Sequence, residues 1–316
     1  MESKQGIEVG GQQRKRVSGQ VAAVGSTLGM APWVGGLFGL PFFGAGVAVT
    51  LVGLKVISVD PSSVHAPYWV LVVAGLSFVG AGLMVWGMAV RAWALQNKIK
   101  KSQLRYPNQP VFADYPWDPQ GYQTDRWKPA IQGVAMATGM TVFFSIFNWW
   151  AFFSGEGPLM VKIIVVVFNL IIIAVWLHGI KALMHAIKYP PCRLLFDPFP
   201  YKAKDWLNLK VQIPQVIHTV HKARLTLRCI EQYYEWRRTS KGRTRTMIHD
   251  QLWEESHEFS GDDLGPFPQF IQSTFALPED GPSTCIQQER PIFWQLELEM
   301  DVPGIDLKQR FLVPIY

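Results

Sequence analysis

The stretch LMVKIIVVVFNLIIIAVWL, residues 159–177, decides the architecture. Its nineteen residues hold one charge, Lys162 near the start, and one strongly polar side chain, Asn169. A helix rises ~1.5 Å per residue, so the run covers nearly all of the ~30 Å hydrocarbon core of a bilayer. A helix on the surface of a soluble domain keeps one polar face, and this one has none. The stretch therefore reads as membrane-spanning, and the other assignments follow from the side on which it exits.

Three further apolar runs precede it, at residues 33–57, 68–92 and 130–153. The loop after the first carries Asp60, Pro61 and His65, and Ser-Gly-Glu-Gly-Pro (154–158) separates the third from the deciding stretch, which continues towards Ile187. The spans pair as two helical hairpins, residues 33–92 and 130–188. Tyr68, Trp69, Trp93, Trp149, Trp150 and Trp176 lie near span ends, where amphipathic rings favour the headgroup region. The first run is too long for the apolar core of a signal peptide, so it reads as a retained helix. Before it, residues 1–32 are Gly/Ser-rich with a basic triplet, Arg14, Lys15 and Arg16, and are expected to form a flexible cytoplasmic tail.

Charge orients the spans. Residues 1–188 carry 15 Lys+Arg against 7 Asp+Glu, net +8, whereas residues 189–316 carry 15 against 17, net −2. In the first part the cations gather in the N-tail, in the connection at residues 93–129 and its flanks, and after the fourth span. Loops 59–67 and 154–158 have none. Cytoplasmic loops carry the excess of Lys and Arg, which places both termini and the connection in the cytoplasm. The whole chain is 17% charged and 49% hydrophobic, less charged than the ~25% of ordinary soluble domains. Cys192, Cys229 and Cys285 form no CxxC pair, which suits a reducing compartment.

Within the spans, small residues four apart let backbones approach: Gly35 with Gly39, Ala135 with Gly139, Ser77 with Ala81. Asn148 and Asn169 lie on adjacent spans and form a candidate intramembrane polar pair. A mutual or neighbouring hydrogen bond is the plain reading, and a polar path for an ion or substrate the sharper one. The connection contains Pro107, Pro110, Pro116, Pro119 and Pro129, which forbid a continuous helix. A helical extension of the second span to about Leu104 is expected, followed by extended chain. Tyr106, Phe112, Tyr115, Trp117, Tyr122 and Trp127 there are expected to pack on the C-terminal domain, because in water they would expose a large apolar patch.

From residue 189 the period changes to two. Trp294, Leu296, Leu298, Met300 and Val302 alternate with Gln295, Glu297, Glu299 and Asp301, and Phe311, Val313 and Ile315 alternate after the Pro303-Gly304 turn. Leu207, Leu209, Val211 and Ile213 mark an earlier strand, residues 223–236 and 246–258 two more, and 269–277 another. Several short strands with Gly/Pro punctuation predict an antiparallel β-sandwich over residues 189–316, giving an α+β membrane protein with four transmembrane helices. The ordered series Gly265-Pro266-Phe267, IQSTFALP (271–278), Pro282-Ser283-Thr284 and FWQLELEMDVPGID (293–306), ending in RFLVPIY, resembles arrestin-like sandwiches. The whole chain also resembles uncharacterised bacterial inner-membrane proteins that attach such a domain to two helical hairpins through a Pro/Trp-rich connection. Those often carry Glu-Pro-Trp, which Gln109-Pro110-Val111 and Tyr115-Pro116-Trp117 only approximate here. The resemblance implies binding or scaffolding, location in the bacterial inner membrane, and no catalytic residues.

Chemistry-bearing motifs are few. His218 and His221, three apart, would face opposite sides of a strand and have no third ligand nearby. Glu254, Glu255, Glu258, Asp262 and Asp263 read as a wet strand edge rather than a calcium loop. No nucleophile elbow, phosphate loop or dinucleotide fingerprint is present, so no enzyme, cofactor or metal is expected. The most pointed feature is the hairpin tip RRTSKGRTR, residues 237–245. Arg237, Arg238, Lys241, Arg243 and Arg245 put five cations in nine residues, candidates for contact with anionic lipid or an acidic partner. Net acidity of this half disfavours nucleic acid. The reading is an inner-membrane scaffold or adaptor with membrane lipids and a protein partner or second copy as its contacts. The alternative is a small channel or transporter subunit, or a membrane effector, gated by the cytoplasmic domain.

Overall fold

The computed structural model describes residues 9–17, 32–60, 67–106, 111–155, 158–203, 205–214, 217, 219–239, 242–265, 268–288 and 290–316. In chain order these form strand β1 (Lys15–Val17), helices α1 (Pro32–Gly53), α2 (Tyr68–Arg105) and α3 (Val111–Asp114), and strand β2 (Tyr122–Gln123). Helices α4 (Trp127–Phe152) and α5 (Leu159–Lys188) follow, then strands β3 (Arg193–Leu195), β4 (Trp206–Gln212), β5 (Lys222–Thr239) and β6 (Gly242–Ser260). Helix α6 (Gly261–Leu264) and strands β7 (Phe270–Ala276), β8 (Ile292–Asp301) and β9 (Leu307–Val313) complete the chain. Two compact units result. Residues 28–97 and 126–187 make a helical unit, and residues 1–27, 98–125 and 188–316 make a β-rich unit.

In the helical unit α1, α2, α4 and α5 are each long and apolar enough to cross a membrane. Apart from Gly35 on α1 and Val70 on α2, their buried positions recur at seven-residue spacing. They are Gly39, Gly46 and Gly53 on α1, and Gly75, Gly82 and Ala89 on α2. On α5 they are Val165, Ile172, Gly179 and Ala186. A period of seven is two shortened turns, the spacing of a continuous helix–helix seam. Glycine is needed there: a Cβ on Gly46 would lie 2.5 Å from the Val79 nitrogen, and one on Gly82 2.9 Å from the Phe43 nitrogen. Of the small-residue pairs expected from four-residue spacing, Gly35 and Gly39 do face α2, meeting Ala89 and Trp86. A Cβ on Gly139, by contrast, would meet nothing within 4 Å beyond its own turn of helix. The close approach of α4 to α5 is instead Gly133 against Gly179, where a Cβ on Gly179 would stand 3.0 Å from the Gly133 carbonyl carbon. Ser77 Oγ donates to Val73 O of its own helix at 2.8 Å, so it adds no bond between helices. The second span and its extension form one helix of 38 residues, ending at Arg105.

The β-rich unit has a five-stranded sheet in the order β1-β6-β5-β8-β9 and a four-stranded sheet in the order β2-β3-β4-β7. All the strand pairs are antiparallel. Alternation explains the layering. On β4, Leu207, Leu209 and Val211 are buried while Trp206, Asn208, Lys210 and Gln212 are exposed. These three, with Ile271 and Phe275 of β7, join one hydrophobic cluster that also holds Leu225, Leu227, Leu296, Leu298 and Phe311 of the larger sheet.

The connection belongs to this unit. Val111, Phe112 and Trp117 are buried in the same cluster, and β2 pairs with β3. Asp114 fixes it: its Oδ1 accepts from the Ile286 and Gln287 backbone N–H groups at 2.7 and 2.9 Å, and its Oδ2 from Tyr316 OH at 2.8 Å. Burial, with Asp114 beside it, holds the Tyr316 hydroxyl far above the usual phenol range. The N-tail departs from expectation. Residues 9–17 are not a free tail: Val9 is 1% exposed within the core cluster, and β1 pairs with β6, Lys15 opposite Gln251 and Val17 opposite His249. A tertiary partner, absent from any local pattern, orders them.

Candidate interaction surfaces

The hairpin of β5 and β6 is longer than the sheet that supports it. Its register runs from Lys222 opposite Ser260 to Thr239 opposite Gly242. Strand β8 accompanies β5 only as far as Glu231, and β1 accompanies β6 only at residues 249–251. Beyond them, among the described residues, the two strands continue as a ribbon with no third strand. Gly242 closes it at φ +126°, a conformation L side chains rarely adopt.

The sequence-predicted cations sit on this ribbon. Arg238 and Arg243 are register partners and both exposed; Trp236, two residues from Arg238 on the same strand and so on the same face, is 66% exposed. Like charges directly opposite one another on a sheet are destabilising, so an anion laid on this face would relieve the pair. Arg237 and Arg245 fall on the ribbon by register, opposite Thr244 and Trp236. Lys241 lies outside the described residues.

Elsewhere on the sheet most charges are paired. Arg228 reaches Glu297 at 2.5 Å and Glu254 at 3.5 Å, Arg310 reaches Glu297 at 3.0 Å, Lys308 reaches Glu299 at 2.6 Å, and Glu258 binds Lys222 and Arg224. Glu297 is only 2% exposed between its two arginines. The acidic residues near α6 are spent likewise, Asp263 closing a capping box with Ser260 and Glu255 meeting His257. Arg238 and Arg243, facing each other across the ribbon, have no acidic partner among the described residues.

The candidate polar pair meets in the helical unit. Asn169 Nδ2 donates to Asn148 Oδ1 at 2.7 Å and Asn148 Nδ2 donates to Asn169 Oδ1 at 3.1 Å and to Phe144 O at 3.0 Å. Trp176 Nε1 donates to Thr141 Oγ1 at 3.0 Å two turns away. The asparagines' polar atoms are turned on each other.

No group of three His, Cys, Asp or Glu able to hold a metal occurs among the described residues; His218 lies outside them. Cys192 and Cys229 are free and buried, and desolvation pushes the Cys192 thiol up to about 12. Sequence reasoning missed one constellation: His257 Nδ1 meets Ser273 Oγ, His257 Nε2 meets Glu255 Oε1 at 2.9 Å, and the imidazole stacks on Phe275. It joins two sheets through residues with no common motif, so no linear signal could reveal it. Ser273 occupies a buried, core-facing strand position.

Four membrane-length helices in one unit and two antiparallel sheets sharing a core in the other define the class of protein. No family model and no curated protein matches the chain. The chain is similar to the crystal structure of Spo0M, a sporulation control protein from Bacillus subtilis, at 14% identity and a TM-score of 0.24. The match covers 39% of this chain and 48% of Spo0M, so the chain spans about half of that protein's length. The architecture stands on strand order and register, not on that likeness.

Proposed function

We propose that this chain is a multi-pass protein of the bacterial inner membrane that presents an arrestin-like β-sandwich to the cytoplasm as a docking or scaffolding module. The helical unit is the anchor, with both termini cytoplasmic because the cations flank the same ends of the spans. The β-rich unit binds a partner protein through the projecting ribbon. One observation carries this: Trp236, Arg238 and Arg243 share an exposed face at the end of a hairpin that no third strand covers, whereas neighbouring cations on the sheet are paired. An aromatic flanked by arginines is the composition that anchors interfaces, here with an acidic patch on the partner.

The test places a photocrosslinking amino acid at Trp236 of the full chain in cells. Discrete protein adducts that disappear in Arg238→Glu/Arg243→Glu support the reading. Adducts to lipid alone would make the ribbon a headgroup contact, and their complete absence would contradict it. The alternative of a channel or transporter subunit would need the Asn148–Asn169 site to receive an ion or substrate, and the reciprocal bonds there favour packing instead.

A further inference from the structure

Residues 9–17 pack along the edge of β6. Five features of that segment are read at once. Val9 enters the core cluster. Gly10, at φ +58°, donates its N–H to Asp280 Oδ1 at 2.8 Å and lies where a Cβ would stand 2.9 Å from Trp253 Cδ1. The Gln12 amide imitates a strand residue: its Nε2 donates to Glu254 O and its Oε1 accepts from Glu254 N, both at 2.8 Å. Arg14 sets Nη2 2.8 Å from Glu231 Oε2 and Nη1 3.7 Å from Asp250 Oδ2, and Arg16 stands 3.9 Å from Asp250 and 3.6 Å from Glu235. Lys15, Arg16 and Val17 then add a strand to β6.

The receptor side is built for this charge. With residues 9–17 in place, Glu231 and Asp250 are 5% and 6% exposed, and Tyr233 OH donates to Asp250 Oδ2 at 2.9 Å. Two carboxylates this buried need cationic partners. Arg290 supplies one to Glu231 at 3.2 Å, and the N-terminal segment supplies the rest. The backbone ladder of that segment is three residues long, at the edge of the sheet. Fourteen residues, 18–31, separate β1 from α1, and a chain of that length reaches at most ~50 Å.

We propose that this β6 edge is a strand-addition site and that residues 9–17 of a second copy can occupy it, so that copies join by exchanging N-terminal strands. The site lies apart from the ribbon tip and goes beyond the docking reading. Backbone pairing with an edge strand would give affinity, and the buried carboxylates would select Arg at alternate positions.

The test adds a fluorescent peptide of residues 9–17 to the otherwise full chain lacking residues 1–17, in detergent. Saturable binding is expected, weakened at least tenfold by Glu231→Gln in the protein or by Arg14→Ala in the peptide. No saturable binding by a truncated chain that keeps its β circular dichroism overturns the proposal. Where truncation unfolds the chain, two differently tagged full-length copies decide instead, one carrying Lys15→Cys and the other Gln251→Cys, reconstituted together. A disulfide between the copies supports exchange. Its absence, with ready closure in the single chain bearing both cysteines, overturns it.

Discussion

Removing either asparagine of the helical unit should cost unequal amounts, and the inequality tests the geometry of the pair. In Asn148→Leu, Asn169 loses both bonds that its amide makes with Asn148. In Asn169→Leu, Asn148 keeps one donor satisfied, because its Nδ2 also donates to Phe144 O at 3.0 Å. An orphaned buried polar group costs ~1–3 kcal/mol, and interhelical bonds in membranes average ~0.6 kcal/mol with a ceiling of ~1.7. Asn148→Leu is therefore expected to destabilise by about 2 kcal/mol and Asn169→Leu by about 1 kcal/mol. The double variant leaves no orphan, so it should cost less than the two singles together, with a coupling of about 1–2 kcal/mol. Reversible unfolding of the full chain in mixed micelles, followed by tryptophan fluorescence, measures all four corners of the cycle. Equal single effects that simply add would refute the reciprocal pair.

Three further outcomes follow from the same contacts. Gly46→Leu should disrupt the seam between α1 and α2, since even its Cβ would lie 2.5 Å from the Val79 nitrogen, whereas Gly139→Ala, with open space around it, should be near neutral in the same unfolding assay. Glu297→Ala takes the carboxylate from Arg310 and leaves Arg228 with Glu254 alone, and should cost about 3 kcal/mol in denaturant unfolding of the β-rich unit, a loss under 1 kcal/mol speaking against a buried network. Lys308 holds the Glu299 carboxyl below its ordinary range. The stability from this depressed group is complete above the unfolded carboxylate value and lost as pH falls through the folded one. Lys308→Ala should therefore flatten the acid limb of a melting-temperature profile, by less than about 1 kcal/mol because both partners are partly solvated.

Much of this architecture is legible in the chain because two periods are strong. Runs without a polar face become the four helices long and apolar enough to cross a membrane, and the alternation around Leu296 and Leu298 places those residues in the core and Glu297 and Glu299 on the other face. The ribbon is legible for a local reason, a glycine at a turn amid cations. Where the decision is tertiary, the signal is missing. Strand β1 is Lys-Arg-Val, three residues that look like any solvated tail until Glu231 and Asp250, more than 200 positions later, are brought beside Arg14. The seven-residue seam is hidden among many glycines, and a four-residue rule selects Gly139, where a Cβ would meet nothing beyond its own turn of helix, over Gly133. His257 and Ser273 meet only because strands from two sheets converge.

The central claim is that positive charge holds one end of every span in the cytoplasm and leaves the β-rich unit there. Fusing alkaline phosphatase or a fluorescent protein after Tyr316 tests it directly, since the first is active only outside the inner membrane and the second fluoresces when left inside. The account predicts a fluorescent, phosphatase-negative pair. An active phosphatase with a dark fluorescent fusion would contradict it.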